Sequence, residues 1–387
     1  MAAADPPRER VTIGVSTLDV LLQRLRDVGY QLIGPTVRDG AIVLAEIQGV
    51  SDLPAGWTEV QEAGTYRLAR RADSALFGYS LGPQSWKPYF FVPRLRLWRA
   101  QRDGSSFRIE DERRAPPRLA LLGARSCDLH ALAIQDRIFA HQDHPDPDYV
   151  SRRVDTLVLA VNCGQAGGTC FCVSMRTGPR VTQGFDLAFT ELLDGEHRFV
   201  VEIGSPRGAD LLQGLDRTSS SAADASLADA VVERTAAGMG RKLDTTDIKE
   251  FLYERYEHPH WDAVAQRCLS CANCTLVCPT CFCSTVEDIT DLTGEHAERW
   301  RRWDSCFTAE HSYLHGGSVR ASIRSRYRQW LVHKLATWID QYGTSGCVGC
   351  GRCITWCPVG IDITAEVEAL RAVSPGSRAA EPRDGSA

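Results

Sequence analysis

Cys268-Leu-Ser-Cys271-Ala-Asn-Cys274-Thr-Leu-Val-Cys278-Pro279 and Cys347-Val-Gly-Cys350-Gly-Arg-Cys353-Ile-Thr-Trp-Cys357-Pro358 carry one spacing twice. It is the run by which two-cluster ferredoxins hold [4Fe–4S] cubanes. The x-x spacing wraps three soft anionic ligands along one tight loop. The fourth cysteine, three residues on, faces away and serves the other cluster. Cys268, Cys271, Cys274 and Cys357 are therefore assigned to one cubane, and Cys347, Cys350, Cys353 and Cys278 to the other. Proline after the fourth cysteine fixes φ and turns the chain away from the cluster. A single run is compatible with zinc; two full runs, each ending Cys-Pro, point to iron–sulfur.

The chain has 387 residues and a net charge of −5, with 15 cysteines. That length is enough for two or three domains with real cores. The mild negative charge argues against nucleic acid as a partner. No stretch reaches the roughly 18 apolar residues of a membrane helix, so no membrane insertion is expected. The N-terminal residues are polar and lack an apolar signal segment, which predicts a cytoplasmic protein. In that compartment many cysteines mean metal ligands before disulfides.

Periodicity predicts an amphipathic helix over 17–28, strands over 41–47, 65–69 and 90–98, and two buried strands over 118–123 and 156–161. A helix over 128–140 lies between the buried strands, and an Asp194-Gly195 turn suggests a hairpin. After a Gly- and Ser-rich stretch the strand signals fade, and 319–342 is the longest helical pattern. The fold class expected is α+β. A disordered N-terminus (1–16) precedes a mixed α/β domain (17–204). A linker (205–245), a mainly helical domain with two [4Fe–4S] clusters (246–372) and a disordered tail (373–387) follow. The wide gap between the runs favours the relay domain of a larger oxidoreductase over a free-standing ferredoxin.

Seven cysteines stand outside the runs. Cys127 and Cys163 each follow a buried strand, at the end where α/β folds build sites. With Cys170 and Cys172 they form a four-thiolate set. A third [4Fe–4S] cluster is the first reading, zinc the second, and buried free thiols the bland alternative. Thr280-Cys281-Phe282-Cys283 repeats Thr169-Cys170-Phe171-Cys172, and Cys306 follows. Three thiolates are one short of a set. The plainer expectation is that they pack around the Cys278 cluster; Asp304, His311 or another cysteine are the candidates to complete them. Arg320, Arg324, Arg326, Arg328, His333 and Lys334 make the long helix basic, read as a solvated face or a docking surface. The aromatic cluster Trp86, Tyr89, Phe90 and Phe91 is expected to be core. No dinucleotide fingerprint, P-loop or nucleophile elbow appears, so no catalytic residue is assigned.

Several strings together resemble a known family. They are Gly82-Pro-Gln-Ser-Trp-Lys-Pro-Tyr89, Arg125-Ser-Cys-Asp-Leu-His-Ala-Leu132, Val161-Asn-Cys163, Thr169-Cys-Phe-Cys172 and Gly184-Phe-Asp-Leu-Ala188. To these add Cys278-Pro-Thr-Cys-Phe-Cys283, Trp303-Asp-Ser-Cys306 and the second run. The chain resembles the beta subunit of cytosolic NAD(P)-linked [NiFe] hydrogenases (sulfhydrogenases), a family that includes the equivalent component of anaerobic sulfite reductase. The resemblance implies an electron-transfer subunit, silent as a catalyst alone. Its implied partners are a flavin-containing gamma subunit that reacts with NAD(P)H and the small and large subunits of a [NiFe] hydrogenase. One alternative is the equivalent electron-transfer component of an anaerobic sulfite reductase. Another, of a different class, is a stand-alone iron–sulfur redox enzyme.

Overall fold

The computed structural model describes residues 8–110 and 115–372. Residues 1–7 of the expected disordered N-terminus and the whole expected tail (373–387) lie outside them. The architecture is α+β. An eight-stranded mixed sheet runs in the order Thr218–Ser219, Arg10–Gly14, Arg198–Ile203, Leu187–Leu192, Leu157–Val161, Leu119–Ala124, Gln31–Arg38, Ala41–Glu46. Its centre is the parallel pair Leu119–Ala124 and Leu157–Val161, in which every residue is buried. That is why both segments are continuously apolar instead of alternating. The chain leaves these strands at neighbouring positions, so Cys127 and Cys163 emerge side by side at their C-terminal ends.

Helix Ser126–Phe139 follows the first central strand. Asp128 Oδ2 accepts the Arg125 amide at 3.0 Å, holding one of the donors a helix start leaves free. The other oxygen, Oδ1, accepts from Arg352 of the second ferredoxin run at 2.9 Å. This pair is almost completely buried, with 5% and 1% of the two side chains exposed. Of the aromatic cluster, Trp86, Phe90 and Phe91 are buried in the core as expected, and Tyr89 is half-buried against it.

Four expectations need correction. Residues 8–16 are not disordered: Arg10–Gly14 is a sheet strand with Val11 and Ile13 buried, and helix Val15–Asp27 follows directly. The segment 205–245 is not a linker. Ser205 caps helix Pro206–Leu211 and Ser221 caps helix Ala222–Ala237, so its serines are helix starts. Strands do occur between the two runs: Ser284–Thr290 and His296–Trp303 form a hairpin, and the latter pairs with Arg94–Asp103 of the first half. The two halves therefore share a four-stranded sheet, and a division into 17–204 and 246–372 cuts through it. The long helix begins at Ile323, where Ser322 caps it. It continues to Tyr342 through a wide π turn at His333–Thr337.

The basic face of that helix is solvated only in part. Arg324 and Arg328 pair with Glu257 of a neighbouring segment, while Arg326 and Lys334 are buried.

The buried pair supplies a direct test. Asp128→Asn leaves the Arg352 charge buried without its partner, and is expected to lower unfolding free energy by about 3–5 kcal/mol. Asp128→Leu with Arg352→Met is expected to recover much of that loss. Urea unfolding under anaerobic conditions, followed by tryptophan fluorescence, reads both.

Candidate metal centre

The two ferredoxin runs fold into matching loops. In the first, Ser270 (φ 52°) and Ala272 (φ 67°) are left-handed; in the second, Gly349 (φ 64°) and Gly351 (φ 73°) hold the same places. Each loop turns its third amide onto its first sulfur. Ser270 N–H donates to Cys268 Sγ and Gly349 N–H to Cys347 Sγ, both at 3.4 Å. Each then enters a one-turn helix, Asn273–Leu276 or Arg352–Thr355, that carries Cys274 or Cys353.

The loops differ in what lies against them. The second is covered by the backbone of Thr169-Cys-Phe-Cys172. Phe171 N–H donates to Gly349 O at 2.8 Å, and Thr177 Oγ1 to Val348 O at 2.6 Å. A Cβ on Gly349 would stand 2.6 Å from Phe171 O, and one on Gly351 would collide with Thr169 O. Glycine is required there by the close approach of a second chain segment, and at Ser270 and Ala272 it is not.

The sequence-assigned thiols gather in groups. Cys268, Cys271, Cys274 and Cys357 line one cavity, and Cys274 faces the other three. Cys278, Cys347, Cys350 and Cys353 line a second. Cys127, Cys163, Cys170 and Cys172 line a third, with Cys350 in its wall. Among the described residues, no three His, Cys, Asp or Glu side chains close on a single-ion site. Mononuclear zinc needs its ligands about 2.0–2.3 Å from one point, whereas a cubane spreads its ligands around a larger core.

The surroundings suit such cores. Around the first cavity, Tyr327 Oη and Trp330 Nε1 are buried donors without an N or O partner. Between the second and third groups, Arg352 Nη1 likewise has none, while its anionic neighbours include Cys350 and Cys127. Beside Cys278 the π turn delivers a buried lysine. Lys334 Nζ donates to Cys278 Sγ at 3.2 Å and to Thr280 Oγ1 at 3.1 Å. π turns concentrate at functional sites because they re-aim one side chain without breaking the helix. Burial alone would lower the Lys334 pKa, but Cys278, Cys281 and Cys347, once deprotonated, raise it well above its ordinary value.

The pKa values of most thiols are pushed up too, which for them favours the neutral form. Burial raises Cys170 and Cys347 each to about 12, and raises Cys274 and Cys353 well above the ordinary thiol value. Without bound cations these thiols are neutral. A metal must displace their protons, and its charge then offsets the cost of burying thiolates. Sequence reasoning missed three charged neighbours: Arg125, Lys87 and Arg352. The first donates from burial to the carbonyls of Phe77, Tyr79 and Asn162. Lys87 and Arg352 sit inside the strings that carry the family resemblance, but nothing in their spacing marks a buried cation.

The loop difference predicts an asymmetry. Gly351→Ala is expected to lower the thermal midpoint, since left-handed alanine costs about 1–2 kcal/mol before the collision with Thr169 is added. Ala272→Gly, at the matching place in the first loop, is expected to leave the midpoint equal or higher. Anaerobic thermal unfolding of both variants checks this.

Residues 267–361 match the 4Fe-4S dicluster domain. Over 351 residues the chain is 28% identical to sulfhydrogenase 2 subunit beta of Pyrococcus furiosus, a match covering 90% of this chain and 94% of that protein. No solved structure matches. Among the described residues no helix is long and apolar enough to cross a membrane. The chain carries a 4Fe-4S dicluster domain at its C-terminal end and resembles a sulfhydrogenase beta subunit over most of its length.

Proposed function

We infer that this chain is an electron-transfer subunit that relays single electrons through three [4Fe–4S] clusters. The first is held by Cys268, Cys271, Cys274 and Cys357, and the second by Cys347, Cys350, Cys353 and Cys278. Cys127, Cys163, Cys170 and Cys172 hold the third. A bound cubane supplies a one-electron reservoir, and its potential responds to charge, hydrogen bonds to sulfur and exposure.

The observation that carries the reading is contiguity. Cys353 of the second group faces Cys274 of the first, and Cys350 faces Cys127 and Cys172 of the third. The second loop is thus common wall to all three groups, which supports a line with the Cys347 set in the middle. Loop amides and Lys334 hold protons near the cysteine sulfurs, and the apolar wall of Phe307, Tyr327 and Trp330 keeps water from the first group. That group lies nearest the surface: Cys271 is exposed, and Leu269 and Val359 beside it are 61% and 38% exposed. It is the end suited to meet a partner's redox centre.

By the resemblance to the sulfhydrogenase beta subunit, the partners are a flavin-containing, NAD(P)H-reactive gamma subunit together with the small and large subunits of a [NiFe] hydrogenase, in the cytoplasm. The flavin would take up hydride as an electron pair, and this chain would pass the two electrons on singly. The chain alone is expected to turn over neither NAD(P)H nor H2.

Iron and acid-labile sulfide per chain test the cluster inventory. The protein purified anaerobically is expected to hold at least about twelve iron atoms, and Cys163→Ser about four fewer. A wild-type count near eight, unchanged by Cys163→Ser, contradicts the third cluster.

A further inference from the structure

Three thiols remain outside the twelve, and the fold brings them together. Strand Ser284–Thr290 pairs with His296–Trp303 so that Ser284 lies opposite Trp303. This register sets Cys283 beside the Asp304–Cys306 turn, where Asp304 N–H donates to Cys283 O at 2.9 Å. Cys283 contacts both Cys306 and His311 through its side chain. Cys281 contacts Cys278 through its side chain and has Cys283 as a further neighbour, and Cys306 contacts Cys283 and faces Cys281 and Cys274.

The histidine is oriented as a metal-binding imidazole would be. Its Nδ1 is 2.8 Å from Asp304 Oδ2, which leaves Nε2 for the thiol side. Asp304 is itself fixed, because Oδ1 accepts from Ser305 N–H at 2.7 Å and Thr308 Oγ1 at 2.9 Å. A carboxylate that holds the far nitrogen is the usual support of a ligating histidine. Plain packing of three cysteines does not call for a carboxylate-anchored imidazole among them.

Charge points the same way. Lys87 is buried, donates to Leu276 O at 3.3 Å and lies over the Trp303 ring at 3.9 Å. Its charged end faces Cys281, Cys278 and Cys283. A buried ammonium is costly unless anions face it, and thiolates held by a metal centre are anions that stay.

We propose that Cys281, Cys283, Cys306 and His311 hold a fourth metal centre, of the iron–sulfur class, with three thiolates and one imidazole as ligands. It sits beside Cys278 and Cys274, and so flanks the first two groups as a side branch off the line. Iron–sulfur is favoured over zinc because the set lies directly against Cys278 and Cys274, thiols of the two ferredoxin groups. The assignment rests on the reading that Cys274 and Cys278 are taken by the first two clusters.

The test is metal content and low-temperature EPR of the full chain purified anaerobically, comparing wild type, Cys306→Ala and His311→Cys. Cys306→Ala is expected to lose about two to four iron atoms with their sulfide. His311→Cys is expected to keep the full count and to shift the spectrum of one centre. Unchanged metal and unchanged spectra in both variants overturn the proposal; so does loss of one zinc with iron constant. If Cys306→Ala does not fold, the His311→Cys spectrum decides alone. Failure of the third cluster would show separately, as a Cys163→Ser count equal to wild type. Failure of the ferredoxin reading would show as wild-type iron below about eight.

Discussion

Arg352 lies buried between the second ferredoxin loop and helix Ser126–Phe139, and its contacts join distant parts of the chain. It donates to Asp128, 224 residues away, and to the Gln84 carbonyl, 268 residues away. The same guanidinium has Cys350 and Cys127 as neighbours, so one charge serves two thiol groups and the joint between them. A buried ion pair is weak evidence for stability, since well-packed apolar residues often do as well. Its value here is placement. Fixing Arg352 fixes the loop that carries Cys350 and Cys353, and with it the spacing between neighbouring groups.

Charge balance explains why the polar residues of the interior are where they are. Each thiol group is enclosed by apolar and aromatic side chains, an environment that disfavours thiolate. Lys87, Lys334, Arg125 and Arg352 are all buried close to those thiols. Two have visible structural devices behind them: the π turn aims Lys334 at Cys278, and stacking on Trp303 holds Lys87. The amide donors at Cys268 and Cys347 add partial positive charge without adding a side chain. A cation that stays charged next to cysteine sulfur stabilises the more reduced, more negative state of whatever the sulfur holds.

Much of the centre was legible because cubane ligation is local. Three of four ligands sit within seven residues, so spacing alone separates the loops from other cysteine patterns. The pairing of Cys127 with Cys163 was legible for another reason: both follow continuously apolar segments, and such segments are central parallel strands. What escaped was non-local or weakly patterned. The hairpin Ser284–Thr290 and His296–Trp303 is largely exposed or half-exposed, so it lacks the apolar alternation of a strand with one buried face. The Gly- and Ser-rich stretch after residue 204 resembled a linker because the same residues that loosen a chain also cap helices. His311 was among several candidates, and only the hairpin register placed it beside Cys283.

An iron-edge anomalous difference map from crystals of the anaerobic protein tests the central claim most directly. The account predicts iron density within the group Cys127, Cys163, Cys170 and Cys172, on the far side of Cys350 from a density at Cys347, Cys353 and Cys278, with the Cys268 group completing the line. Iron confined to the two ferredoxin groups, with those four N-terminal thiols empty or holding zinc, would contradict it.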